Sequence, residues 1–216
     1  MRASATAKQK PEAEDWITHA ESLVEAYNGR LAEARTLSRR AVDLARQSHQ
    51  DERAALYLAG AAVRESFLGD PAEARRLGKE ALLLSTNRDV EYGAAFALVK
   101  SGFAAEAEPH IANLESGFPE DTYVKFTYLP VLRGLIAVRR GQPAVALALL
   151  EPATPYELGI PGSWNGFFGS LYPAYVRGEA YRAAGDAANA AAEFQKVKDH
   201  PAVVFADPVA RALKIR

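Results

Sequence analysis

The chain has 216 residues, enough for one well-buried core or one extended array of repeats. Its 26 Lys and Arg nearly balance its 27 Asp and Glu, so no global field draws it toward nucleic acid or acidic lipid. Without cysteine there is no disulfide, no thiolate nucleophile and no cysteine-type zinc site, which fits a reducing compartment.

Residues 1–11 are small and polar and read as a disordered leader without the apolar stretch of a signal peptide. From Pro11 onward the chain reads as a succession of helix pairs, about 12–48, 51–86, 89–118, 121–153 and 171–201. In the first, Trp16, Ala20, Leu23 and Tyr27 form one apolar stripe, Asn28-Gly29 stops the helix, and Leu31, Ala34, Leu37, Ala41 and Leu44 form the partner stripe. The second pair turns at Gly69-Asp70-Pro71, which supplies terminator, N-cap and first-turn proline in succession. The third pair is predicted at about 89–100 and 104–115. The fourth begins at Asp121, and Pro130 inside its first helix cannot donate to the carbonyl of Phe126, which predicts a bend. Residues 152–170 mix Pro and Gly with Tyr156, Trp164, Phe167 and Phe168, and no helix is expected there. After the fifth pair, Asp207-Pro208 opens a short last helix, expected to cap the apolar face of the last repeat within 207–216.

One spacing runs through these pairs. Gly-x-x-x-x-Ala, followed seven residues later by a small or apolar residue, occurs at Gly29…Ala34…Ala41, Gly69…Ala74…Ala81, Gly102…Ala107…Leu114, Gly141…Ala146…Ala153 and Gly185…Ala190…Val197. Glycine ends one helix, and alanine sits where the next must press close, as in a stacked helix-turn-helix array. Chemistry-bearing patterns are absent. The four histidines, His19, His49, His110 and His200, fall in different repeats, and Glu106 with His110 alone makes no metal site. Gly162, Gly166 and Gly169 lack the Lys-Ser/Thr of a phosphate loop, and Ser163 and Ser170 lack the frame of a nucleophile elbow. The basic pairs Arg39-Arg40, Arg75-Arg76 and Arg139-Arg140 are interrupted by acids and read as solvated helix faces. No catalytic residue, metal site or cofactor is therefore expected.

The fifth repeat, with Gly178, Tyr181, Gly185-Asp186, Ala190, Phe194 and Pro201, resembles the tetratricopeptide repeat motif. The third and fourth follow with Ala95, Gly102, Ala107 and Pro119, and with Gly134, Gly141 and Ala146. In the first, Ser22 and Glu25 depart from it. Phe118-Pro119-Glu120-Asp121-Thr122, Tyr128-Leu129-Pro130, Pro155-Tyr156-Glu157-Leu158-Gly159, Leu171-Tyr172-Pro173 and Arg177-Gly178-Glu179-Ala180-Tyr181 further resemble the repeat region carried by bacterial eukaryote-like serine/threonine kinases and some winged-helix regulators.

The resemblance implies an all-α, right-handed superhelix of about five antiparallel helix pairs in a single domain, 12–216, with a short C-terminal capping helix. It implies a non-catalytic module that binds a protein or peptide segment on its concave face, attached to a signalling or regulatory effector. Mapping the family's inward positions gives Tyr92, Phe96, Tyr128, Leu135, Arg139, Tyr172, Tyr175 and Arg182 as the wall of that groove. Helical spacing alone does not separate a groove wall from internal packing. Two alternatives stand beside this reading. One is a small-molecule sensor using Trp164, Phe167 and Phe168 of the loop, and the other is self-association, making a homodimer. Neither nucleic acid nor membrane contact is expected. The compartment is cytoplasmic by default, or periplasmic if the parent is a membrane-anchored kinase.

Overall fold

In the computed structural model, residues 11–159 and 171–214 are described. Among them the chain is all-helical, with helices packed in adjacent pairs. The pairs are α1 (Pro11–Tyr27) with α2 (Leu31–Gln47), α3 (Asp51–Leu68) with α4 (Pro71–Leu84), and α5 (Arg88–Lys100) with α6 (Ala104–Gly117). A π-helical turn (Val124–Tyr128) runs into α7 (Leu129–Arg139), which pairs with α8 (Pro143–Leu150). A 3-10 turn (Glu151–Tyr156) follows. Beyond it come α9 (Tyr172–Ala183) with α10 (Ala187–Asp199), then α11 (Pro201–Val204) and α12 (Pro208–Lys214).

The turns follow from their residues. Gly29, Gly102, Gly141 and Gly185 all take a positive φ, which only glycine adopts freely. The amide after each reaches back five residues, as in Arg30 to Glu25 O (2.9 Å) and Asp186 to Tyr181 O (2.9 Å), and closes the helix end. Gly69 serves a different need. Its φ is −125°, but an added Cβ would lie 1.8 Å from Glu65 Oε2, so glycine leaves room for a buried carboxylate. Asp70 then caps α4 by accepting from the Ala72 amide (2.8 Å).

The repeated small positions lie where the helices meet. Ala34, Ala41, Ala74, Ala81, Ala107, Leu114, Ala146, Ala153, Ala190 and Val197 are all buried. The helices also press close at Gly178, where an added Cβ would come within 2.4 Å of the Phe194 ring. The helices divide into two kinds. α3 is buried continuously from Ala54 to Glu65, α5 from Val90 to Val99 and α9 from Tyr172 to Gly178. α2, α4 and α10 bury one stripe and expose the rest. The first group forms the inside of the molecule and the second its outer cover.

Three expectations change. The bend predicted at Pro130 takes the form of the π turn: Leu129 N–H donates to Val124 O, five residues back, and the ladder is reset before the proline. Residues 151–156 are not loop, because Pro152 and Pro155 both fit a 3-10 turn. Glu157, just after that turn, is buried and joins Arg177 and Lys196 of the last pair. Arg177 also holds Glu193 through Nε (3.0 Å) and Nη2 (2.7 Å). Residues 160–170, with Trp164, Phe167 and Phe168, lie outside the described residues, as do residues 1–10 of the expected leader. Finally, α12 does not cap the last repeat alone. It touches α10, but it also crosses to α1 and α3 at the other end of the chain.

Because the alanine stripe sets helix separation, Ala74→Leu should destabilise the protein by about 1–3 kcal/mol. Ala72→Leu, on the exposed face of the same helix, should change stability by less than about 0.5 kcal/mol. Thermal melts of both variants check the contrast; equal losses would remove Ala74 from the contact.

Candidate functional site

The residues assigned to a groove wall are brought together, but not as an open wall. Tyr92, Phe96, Tyr128, Leu135, Tyr172 and Tyr175 are all buried, Phe96, Tyr172 and Tyr175 completely. Tyr92 and Tyr128 stack with ring centres 3.8 Å apart and planes 4° from parallel. Phe96 meets Tyr172 edge-on at 4.8 Å. Phe67, at the end of α3, contacts Phe96 (5.7 Å), Tyr172 (6.0 Å) and Tyr175 (5.1 Å), so rings from α3, α5 and α9 form one cluster. Such pairs add about 0.5–1.5 kcal/mol each beyond the area they bury, which favours closing the rings on one another over leaving them to solvent.

The polar groups around the rings are held within the chain. Lys100 Nζ donates to the Tyr175 hydroxyl (2.9 Å) and lies 4.4 Å from the centre of the Phe67 ring, a cation–π contact. Arg139 donates from Nε to Val99 O (2.7 Å) and from Nη2 to Lys100 O (2.6 Å). It thus supplies donors and positive charge at the C-terminal end of α5. Arg182 is exposed and pairs with Glu179 on its own helix.

What completes the inside is the chain's own end. Val204, Val209 and Leu213 belong to the same apolar core as Tyr92 and Tyr172. Asp207 is buried (1% exposed) at the start of α12. Its Oδ1 accepts from the Tyr172 hydroxyl (2.8 Å) and from the Val209 amide (2.9 Å). At the far end of α12, Lys214 reaches the Tyr27 hydroxyl and lies 3.9 Å from the centre of that ring, while Arg211 packs beside Gly29. These cations therefore sit at the C-terminal end of α1, where the helix dipole favours them. Nothing local in Asp207-Pro208 announces this destination. The available signal was the row of apolar residues 203–213 beside a single acid.

Three of the four histidines are engaged in packing or local bonds. His19 is buried and stacks on Tyr57 (4.1 Å), His110 Nδ1 is 3.3 Å from Glu91 Oε1, and His200 Nδ1 donates to Lys196 O (2.7 Å). Among the described residues no group of three or more His, Asp or Glu is placed to hold a metal ion. No helix among them is long and apolar enough to cross a membrane. No known protein family, no curated protein and no solved structure matches this chain.

Burial, together with the nearby Asp207 charge, pushes the phenols of Tyr92 and Tyr172 far above their ordinary value. Burial and Asp89 do the same for Tyr128. The folded chain therefore keeps these protons to a higher pH than the unfolded chain, whose tyrosines release them near pH 10. The contribution is complete below pH 10 and is lost as pH rises beyond it. Following tyrosinate absorbance and helical circular dichroism together should show part of the tyrosine signal appearing only as the helix signal collapses. Full tyrosine titration with the helix intact would contradict the burial. Tyr172→Phe, which strips Asp207 of one donor, should cost about 1–3 kcal/mol in a denaturant melt.

Proposed function

We propose that this chain is a non-catalytic protein-interaction module, an array of tetratricopeptide-like helix pairs carried by a signalling or regulatory protein. Its ligand would be a short partner helix received on the inner face in place of residues 204–214. The observation that carries this reading is the seating of that segment. The inner helices already hold a short helix by a recipe a partner can copy: a carboxylate at its start against Tyr172, apolar side chains at the positions of Val209 and Leu213, and cations at its end over Tyr27. Aromatic anchors around a desolvated polar contact are the usual centre of a binding surface.

The backbone supports an exchangeable seat. Phe205, between α11 and α12, has φ 47° and ψ −129°, a conformation suited to glycine and costing other residues about 1–3 kcal/mol. Release of the segment relieves that strain, so part of what holds it in place is offset. A competing helix needs only to exceed the difference.

A labelled peptide of residues 201–216 serves as the probe. Leu213→Ala loosens the resident segment by removing buried apolar volume, and should let the labelled peptide bind about tenfold tighter than wild type does, equivalent to about 1.4 kcal/mol. Phe205→Gly, which removes the strain, should weaken peptide binding relative to wild type. If all three proteins, equally helical, bind the peptide alike or not at all, the inner face is a closed core and the reading fails.

A further inference from the structure

A second feature lies on the outer side of the array, between α2 and α4, with α3 as its floor. It is a crevice of about 230 Å³, too small for a drug-sized molecule and about right for one charged group with a few waters. At its floor lies Arg64, only 2% exposed. Its Nη1 donates to Ser38 Oγ (2.7 Å). Its Nη2 stands 3.6 Å from Glu65 Oε1, beyond hydrogen-bond range, and its Nε has no acceptor.

Glu65 cannot serve Arg64 fully because it is committed to Arg35, which donates from Nε to Oε1 (3.0 Å) and from Nη2 to Oε2 (2.7 Å). Oε2 also faces the Asp70 amide (3.3 Å). Two guanidiniums thus share one buried carboxylate, and one positive charge is left over in a place where charge is costly. Burial and the charge of Arg35 both depress the pKa of Arg64, against the pull of Glu65. Along the rim, Arg39 and Arg46 share the face of α2 that carries Arg35, and Arg39 adds its charge to those of Arg76 and Arg35 that hold Glu73 ionised. The acids of the opposite wall are engaged: Arg76 holds Glu73 (2.7 and 2.8 Å) and Glu80 (2.8 Å). Asp43 is the remaining lining acid, so five arginines face four acids around the crevice and leave it one positive charge in excess.

We infer that this crevice is an oxyanion site, in which a phosphate or carboxylate group lies between Arg64 on the floor and Arg39 and Arg46 on the rim. Guanidinium groups present paired donors that match such groups, and a desolvated one does so most strongly. The site is separate from the inner face and does not depend on what that face binds.

Inorganic phosphate and acetate are the probes, each titrated into the full chain at constant ionic strength with chloride as the reference ion. Side-chain Nε–H resonances of arginine and isothermal titration are the readouts. Saturable shifts of the Arg64 resonance are expected. Phosphate tighter than acetate assigns the site to phosphate-bearing ligands, and the reverse order assigns it to carboxylates. Arg64→Met keeps the buried volume and should weaken binding of the preferred ion at least tenfold. Arg39→Gln, on the exposed rim and harmless to folding, should weaken it severalfold. Unshifted arginine resonances, or shifts that persist undiminished in Arg39→Gln and Arg64→Met, would overturn the inference, since general salt effects act on all three proteins alike.

Discussion

Helices that are apolar around their whole circumference must be covered on every side. α3, α5 and α9 are of this kind, each with a run of buried residues longer than any one stripe. The outer helices α2, α4 and α10 cover one flank with stripes of small residues, chiefly alanine. The other flank would face water if the array stayed open. It is closed instead by rings from α3, α5, the π turn and α9, and by residues 204–214. The aromatic content of the inner helices and the path of the C-terminal segment are thus two answers to one demand.

The local parts of this arrangement were legible in the sequence. The all-helical class, most helix boundaries to within two residues, the glycine turns and the buried alanines followed from periodicity and from residues with strong backbone preferences. Gly69 shows the limit: it was rightly read as a turn residue, but its reason is the carboxylate of Glu65, which no spacing displays. The inward set of aromatics was also legible as a set. Whether they faced solvent or one another was not, because the answer depends on Phe67 meeting Tyr172 and Tyr175 more than a hundred positions away. The destination of α12 was hidden for the same reason.

Polar residues inside the molecule were the hardest to read. Arg64-Glu65 interrupts an otherwise apolar stretch of α3, and that interruption was the available signal for the crevice, more telling than the Arg-Arg pairs on outer faces. Glu157 likewise became interpretable only with Arg177 and Lys196 around it. In each case an acid is buried with more than one cation, so that desolvation is offset by several charge-assisted bonds rather than a single pair. Such clusters favour one arrangement of neighbouring helices over close alternatives.

In an open solenoid each unit feels only its neighbours, so melting can begin at a loose terminus and travel inward. Here Lys214 rests on Tyr27, tying the last helix to the first across 187 positions of chain. A terminal unit cannot fray without loosening its counterpart at the opposite end. That linkage makes the array less like a zipper and more like a hoop with a clasp: slower to assemble, because distant contacts must form before it closes, and open to loosening at both ends when the clasp is undone.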